Sequence, residues 1–313
     1  MKKTIPLYSA IESKILATHE KPVIHEYEYI RHVAELYRNR TYLGSTIQKI
    51  SSPYPEKFIL SRHLQALINN GVLKQVGSLP IYSFSSAKTS AQQVVCTLNP
   101  FSYLSHLSAM EWHHLTDRIP HAIHLVTCSQ KQFKILADKL ANKDFPPLEK
   151  ISGETFTYEV ISGVPITHQK INNKKIMKYT IHEHSRKNFK NMPIQQDSGG
   201  IRVASVGQTF LDMLKEPNFC GGINHVLEVF EEHAERYLSL IVRAADKQGS
   251  TIDKMRVGYL LEERFGFAKN NPTIEGWKTL AQRGGSRVLV AGEPYSNIFS
   301  ETWCLSINLT DGN

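Results

Sequence analysis

Apolar positions recur at helical spacing from the start of the chain. Leu7, Ile11, Ile15 and Leu16 share one face and predict a helix over 7–19. After Pro22, the register of Ile30, Val33, Ala34 and Tyr37 predicts a second helix over 26–38. A short helix is expected at 45–50, followed by a loop through Ser51-Ser52-Pro53-Tyr54-Pro55. Leu60, Leu64, Leu67 and Ile68 then define a helix over 56–70, stopped by Asn69-Asn70-Gly71, because glycine adopts the left-handed cap cheaply. Two short apolar runs, 72–76 and 81–84, flank Gly77-Ser78-Leu79-Pro80 and read as a hairpin. Residues 85–92 are small and polar and read as a linker.

This succession of helices, a longer helix and a short hairpin predicts a winged helix-turn-helix over residues 1–88. The third helix would enter the major groove of double-stranded DNA. Lys57, Ser61, Arg62 and Gln65 lie opposite its apolar stripe; Arg62 offers a bidentate fork to guanine, while Ser61 and Gln65 offer bonds to bases or phosphates. Lys74 and Ser78 on the hairpin would meet the flanking backbone.

Beyond the linker, residues 93–313 read as an α/β domain with a C-terminal extension, so the expected class is α+β. Helices are expected over 100–114, 132–141, 206–215, 221–234, 236–248, 251–265 and 274–282. Strands are expected at 122–127, within 155–184, at 201–204, and in the tail at 287–290 and 303–309. Charge divides the chain in the same sense. Of a net charge of +8, residues 1–90 carry 12 Lys+Arg against 6 Asp+Glu, and residues 201–313 carry 12 against 14. The basic excess therefore sits where a polyanion would be met. No run of ~18 apolar residues and no secretory leader is read, which places the protein in the cytoplasm without a membrane partner. Four cysteines without a CxxC pair are expected as free thiols.

Two stretches carry a family likeness. One is Asn99-Pro100-Phe101-Ser102-Tyr103-Leu104-Ser105-His106-Leu107-Ser108-Ala109-Met110. The other runs from Arg202-Val203-Ala204-Ser205-Val206-Gly207-Gln208-Thr209-Phe210-Leu211-Asp212-Met213-Leu214 through Cys220-Gly221-Gly222-Ile223. Together, over roughly residues 10–240, they resemble the AbiEi family, antitoxins of type IV toxin–antitoxin and abortive-infection systems. The resemblance implies a winged helix that represses its own promoter at inverted repeats. It also implies an antitoxin domain that neutralises a nucleotidyltransferase-like toxin without a stable complex. The tail from about 250 to 313 and the dense basic run in the middle depart from that pattern. Both stretches read as scaffold, with Tyr103, Leu104, Leu107 and Met110 on one buried helix face and Asp212 on the outer face of its helix.

Sharper chemistry finds less support in the pattern. His106, His113, His114, His121 and His124 are close in sequence, but His113 and His114 diverge by about 100° on a helix and no HExxH is present. His182 and His184 would share one strand face. Ordinary histidines are the expectation, with no metal and no cofactor. Lys170, Lys174, Lys175, Lys178, Arg186, Lys187 and Lys190 form a run that would add a nucleic-acid or partner contact, or simply a charged edge. There is no Walker loop, GxSxG or dinucleotide turn, so an enzyme is not expected. Two alternatives stay open: a ligand-responsive winged-helix repressor with the second domain as sensor, and a metal-dependent nuclease fused to a winged helix.

Overall fold

The structure is a computed structural model, and it describes residues 3–145, 166–186, 189, 194–282 and 287–309. Within these the chain is a mixed α+β fold. The first ninety residues run β1 (Thr4–Ile5), α1 (Leu7–Thr18), β2 (Val23–His25), α2 (Glu26–Asn39), β3 (Thr41–Tyr42), β4 (Ser45–Ile47), α3 (Lys57–Asn69), β5 (Leu73–Gln75) and β6 (Ile81–Phe84). β2 pairs with β6, which pairs with β5, all antiparallel. α2 starts firmly because His25 Nδ1 accepts from Tyr27 N–H and the Glu28 carboxylate accepts from His25 N–H. α3 stops as its sequence dictates. Gly71 takes φ 71°, and Val72 N–H donates back to the Leu67 carbonyl at 2.9 Å.

Three expectations here are corrected. Leu16 is exposed rather than buried. Residues 45–50 are not a helix: β4 pairs antiparallel with β3 and parallel with β1. Leu43 and Gly44 both have positive φ, which closes a two-residue hairpin turn that short apolar periodicity does not reveal. The linker reading is too long. α4 (Ala91–Leu98) begins inside it, with Ser90 and Gln93 exchanging capping bonds at its start.

The second part continues through β7 (Tyr103–Leu104), α5 (His106–Trp112), β8 (Ala122–Thr127), α6 (Gln130–Asp144), β9 (Lys175–Ile176), β10 (Tyr179–Ser185), β11 (Ile194–Gln196) and β12 (Arg202–Ala204). The helix expected over 100–114 is therefore split: Tyr103 and Leu104 lie in a strand, and the helix begins after Ser105. These strands form one sheet in the order β11-β12-β7-β8-β10-β9. The strands expected within 155–165 lie outside the described residues.

Behind this sheet come α7 (Val206–Lys215), a 3-10 turn (Pro217–Cys220), α8 (Ile223–His233), α9 (Leu238–Gln248), α10 (Thr251–Gly258) running into a π turn (Tyr259–Arg264), and α11 (Pro272–Lys278). The tail forms the pair β13 (Phe299–Ser300) and β14 (Leu305–Ser306). It is no loose extension: Trp303 and Leu305 are fully buried in the same core as α7 and α10. α7 and α9 cross at Gly207, where an added Cβ would sit 2.2 Å from the Leu240 carbonyl oxygen, so only glycine permits the approach. Among the described residues no helix is long and apolar enough to cross a membrane.

The chain boundary near residue 90 is not a packing boundary. One apolar cluster joins Ile30, Val33 and Leu67 of the first part to Phe133, Ala137 and Ala141 of α6. The Tyr27 hydroxyl donates to Asp144 at 2.9 Å across the same seam.

Buried histidines in the first part set an acid limit on stability. Burial pushes His25 and His32 down from 6.5 to about 4. As pH falls below 6.5 the unfolded chain takes up protons that the folded chain refuses, so these groups withdraw stability between about pH 6.5 and pH 4. Neither ring nitrogen of His32 has a hydrogen-bond partner. His32→Leu is therefore expected to flatten the loss of urea resistance between pH 7 and pH 5, by up to about 1.4 kcal/mol per pH unit. An unchanged slope would show that His32 titrates normally.

Candidate functional site

Two sets of side chains face outward or converge. On α3 the side chains of Leu60, Leu64 and Leu67 are buried, whereas Lys57, Ser61, Arg62 and Gln65 are exposed. Lys74 and Ser78 on the following hairpin are exposed as well. The Gln65 side chain donates to Asn69 along the helix at 2.8 Å, which fixes it parallel to the surface. Lys170, Lys174, Lys175 and Lys178 are exposed around β9 and the turn into β10. Lys187 and Lys190 lie outside the described residues. Arg186 is set apart from the run: it turns inward, pairs with Glu216, and comes within 3.6 Å of the Asp212 carboxylate.

The second set lies at the sheet. β8 and β10 run parallel, with His124 opposite His182 in register. Side chains alternate along a strand, so His182 and His184 share a face and His124 joins them from the neighbour. His124 Nδ1 and His184 Nε2 are 3.1 Å apart. His106 arrives from the start of α5, fully buried, and its ring centroid is 4.4 Å from that of His184. One ring nitrogen each from His106, His124 and His184 lie within 4.8 Å of one another. Phe219 covers the group, its ring centroid 4.5 Å from His184.

His106 is held with unusual care. Its φ is 49°, in the left-handed region that costs a side-chain-bearing residue energy. Its Nδ1 meets Ser105 Oγ at 2.8 Å, and its Nε2 meets the Glu216 carboxylate at 2.7 Å. The His106 hydrogen bond, helped by Arg186, holds Glu216 down to about 2, despite partial burial. Burial, reinforced by the neighbouring imidazoles, pushes His124 down to about 3 and His184 to about 4. Both rings are thus neutral at pH 7, and the 3.1 Å contact is a hydrogen bond in which one ring donates and the other accepts.

Behind Glu216 sits Asp212, which is 1% exposed and not on an outer face as its helix pattern implied. Burial raises its carboxyl, while His106 and Arg186 oppose that rise. Gln208 donates to one of its oxygens at 2.9 Å; the other has no partner. The Tyr103 hydroxyl is also buried without a partner.

The two stretches read as scaffold therefore meet here. Tyr103, Ser105 and His106 come from one, Gln208 and Asp212 from the other. The expectation that the chain holds no catalytic chemistry is overturned by the histidine cluster. Three imidazoles around one point are a donor set that can bind a metal ion and activate water or polarise a substrate. His106, His124 and His184, expected as ordinary histidines, converge in space. His113, by contrast, meets the Ala204 carbonyl, and His114 and His121 are exposed away from the group. The same-face pair His182/His184 was the legible signal; Glu216 gave none.

A cavity of ≈ 300 Å³ lies elsewhere, on the seam between the two parts. Lys21, His25 and Arg31 wall it from one side, Thr97, Lys143 and Arg202 from the other. His25 Nε2, Arg31 Nε and Thr97 Oγ1 have no hydrogen-bond partner.

No family model matches the chain, and no curated protein matches it. Among solved structures it is similar to the RV2827C protein from Mycobacterium tuberculosis, with TM-score 0.45 and 11% identity, over 97% of this chain and 92% of that one. At that TM-score the likeness carries no argument.

A buried carboxylate with a vacant oxygen is kept at a cost to stability. Asp212→Asn retains the acceptor for Gln208 and removes the charge, so thermal and urea unfolding should show unchanged or increased stability. A loss above about 3 kcal/mol would instead mark Asp212 as a structural partner of Arg186.

Proposed function

We propose that this chain is a ligand-responsive DNA-binding repressor, with a winged helix in its first 88 residues and the remainder as the responsive part. The observation that carries the reading is the outward face of α3. Lys57, Ser61 and Arg62 are exposed, with Gln65 lying along the same face, beside the β5–β6 hairpin that bears Lys74 and Ser78. The helix–strand–helix–helix–hairpin order, with β2 beside β6, supports the winged-helix label. Residues 40–56 separate α2 from α3, far more than the short turn of a minimal helix-turn-helix, and they hold the β3–β4 hairpin. The seam cavity supports responsiveness, since an occupant would touch α2 and α6 together. The AbiEi resemblance adds a toxin-like nucleotidyltransferase as functional partner. Growth rescue on co-expression with such a neighbour tests that addition separately.

A second reading is favoured by the histidine group. A metal-dependent hydrolase of nucleic acid would use His106, His124 and His184 to hold an ion that lowers the pKa of bound water to about 7. Divalent-ion-dependent cleavage of DNA or RNA, lost in His184→Ala, supports it. Absence of cleavage across zinc, manganese and magnesium removes it.

For the DNA reading, Arg62→Ala should weaken binding to the chain's own promoter repeats by ~1–3 kcal/mol and relax sequence preference. Lys74→Ala should weaken binding to all sequences alike and reduce the salt slope by about 1. Gel shifts in a salt series measure both. Unchanged affinity in both variants would take α3 off the DNA.

A further inference from the structure

We propose that His106, His124 and His184 form a binding site for a divalent transition metal of the zinc class. The inference deepens the hydrolytic reading and is independent of the DNA-binding one. It begins from spacing. Two nitrogens bound to one tetrahedral ion at about 2.0–2.1 Å each lie about 3.3 Å apart. His124 Nδ1 and His184 Nε2 are already 3.1 Å apart, in a hydrogen bond whose proton an ion would displace. The three donors sit within 4.8 Å of one another, so a contraction of at most about 1.5 Å closes the group around one ion.

Donor chemistry selects the class. The group within that distance contains only imidazoles among the described residues. Imidazole nitrogen suits zinc, copper, nickel and iron, whereas magnesium and calcium require oxygen. The supporting shell is also present for His106. If Nε2 binds the ion, Ser105 holds Nδ1; if Nδ1 binds it, the Glu216 carboxylate holds Nε2. Either arrangement fixes the ring as metal-bound histidines require. Arg186, bridging Glu216 and Asp212, keeps that carboxylate in place. The left-handed backbone at His106 is strain that places a fully buried imidazole at this point. Phe219 closes one side and is itself 40% exposed, so solvent lies just beyond its ring.

The test uses the full-length protein stripped with a chelator, then titrated with Zn²⁺ by calorimetry and with Co²⁺ by visible absorption. One ion per chain is expected, with intense tetrahedral d–d bands for cobalt and a raised melting temperature on zinc addition. His184→Asn, at a half-buried position that leaves the core intact, should lower affinity by about two orders of magnitude or more. Of Ser105→Ala and Glu216→Gln, the one that removes the partner of the nitrogen left off the ion should lower it about 10–100-fold. His121→Gln, on an exposed histidine outside the group, should change nothing. Failure of the stripped protein to bind either ion, or binding indifferent to His184→Asn, overturns the site. Gel shifts on the same preparations separate that outcome from failure of the DNA reading: promoter binding that persists without metal binding removes this site alone.

Discussion

The parallel pairing of β8 with β10 is the constraint on which the centre of the molecule depends. Six residue pairs, from Thr180↔Ala122 to Ser185↔Thr127, hold the register. A slip of one residue would move every side chain of β10 to the other face. Ile181, fully buried, would leave the core, and His182 and His184 would leave His124. Apolar burial therefore locks the geometry of the imidazoles: the same register that buries Ile123, Leu125 and Ile181 aligns the polar face. A parallel pair also needs a long crossover, which here includes α6, and α6 is the helix on which the first ninety residues rest.

That arrangement bears on how the two parts act together. A helix that belongs to the sheet by connectivity and to the first part by packing cannot shift without disturbing both. Tyr27 and Asp144 hydrogen-bond across the join, and the cavity beside them is walled from both sides. Interfaces built this way respond to an occupant by repacking rather than by swinging on a linker. The short segment between β6 and α4, where the Ser90 cap opens a new helix, leaves little slack for independent motion.

How much of this was legible depends on the range of the interaction. The α3 face was, because a 13-residue helix with Leu60, Leu64 and Leu67 on one side fixes which residues point away. The stop at Gly71 and the hairpin after it were legible for equally local reasons. β2, β3 and β4 were not: two or three residues carry no usable period, and β2 and β4 also pair with strands far along the chain, β6 and β1. The splitting of 100–114 was hidden by the same shortness, since Tyr103-Leu104 fits a helix face as well as a strand. Asp212 was misplaced because α7 is buried on all sides, so its apolar stripe no longer marks an inside and an outside.

The histidine group was half legible for a physical reason. Sequence shows that His182 and His184 share a face, but His124, His184 and His106 come from β8, β10 and α5, and only tertiary pairing unites them. Its surroundings nonetheless argue against chance. A buried imidazole on a left-handed backbone, a buried carboxylate with one oxygen lacking a hydrogen bond, and a buried Tyr103 hydroxyl lacking one each cost free energy separately. A fold selected for stability alone would replace such groups with apolar residues of similar volume, which buried ionic clusters tolerate well. They are instead gathered around His106 from two stretches a hundred residues apart. Such local cost around His106 sets this part of the core apart from its well-packed apolar surroundings, and it is the physical ground for seeking chemistry at His106, Glu216 and their neighbours before the lysines of the edge hairpin.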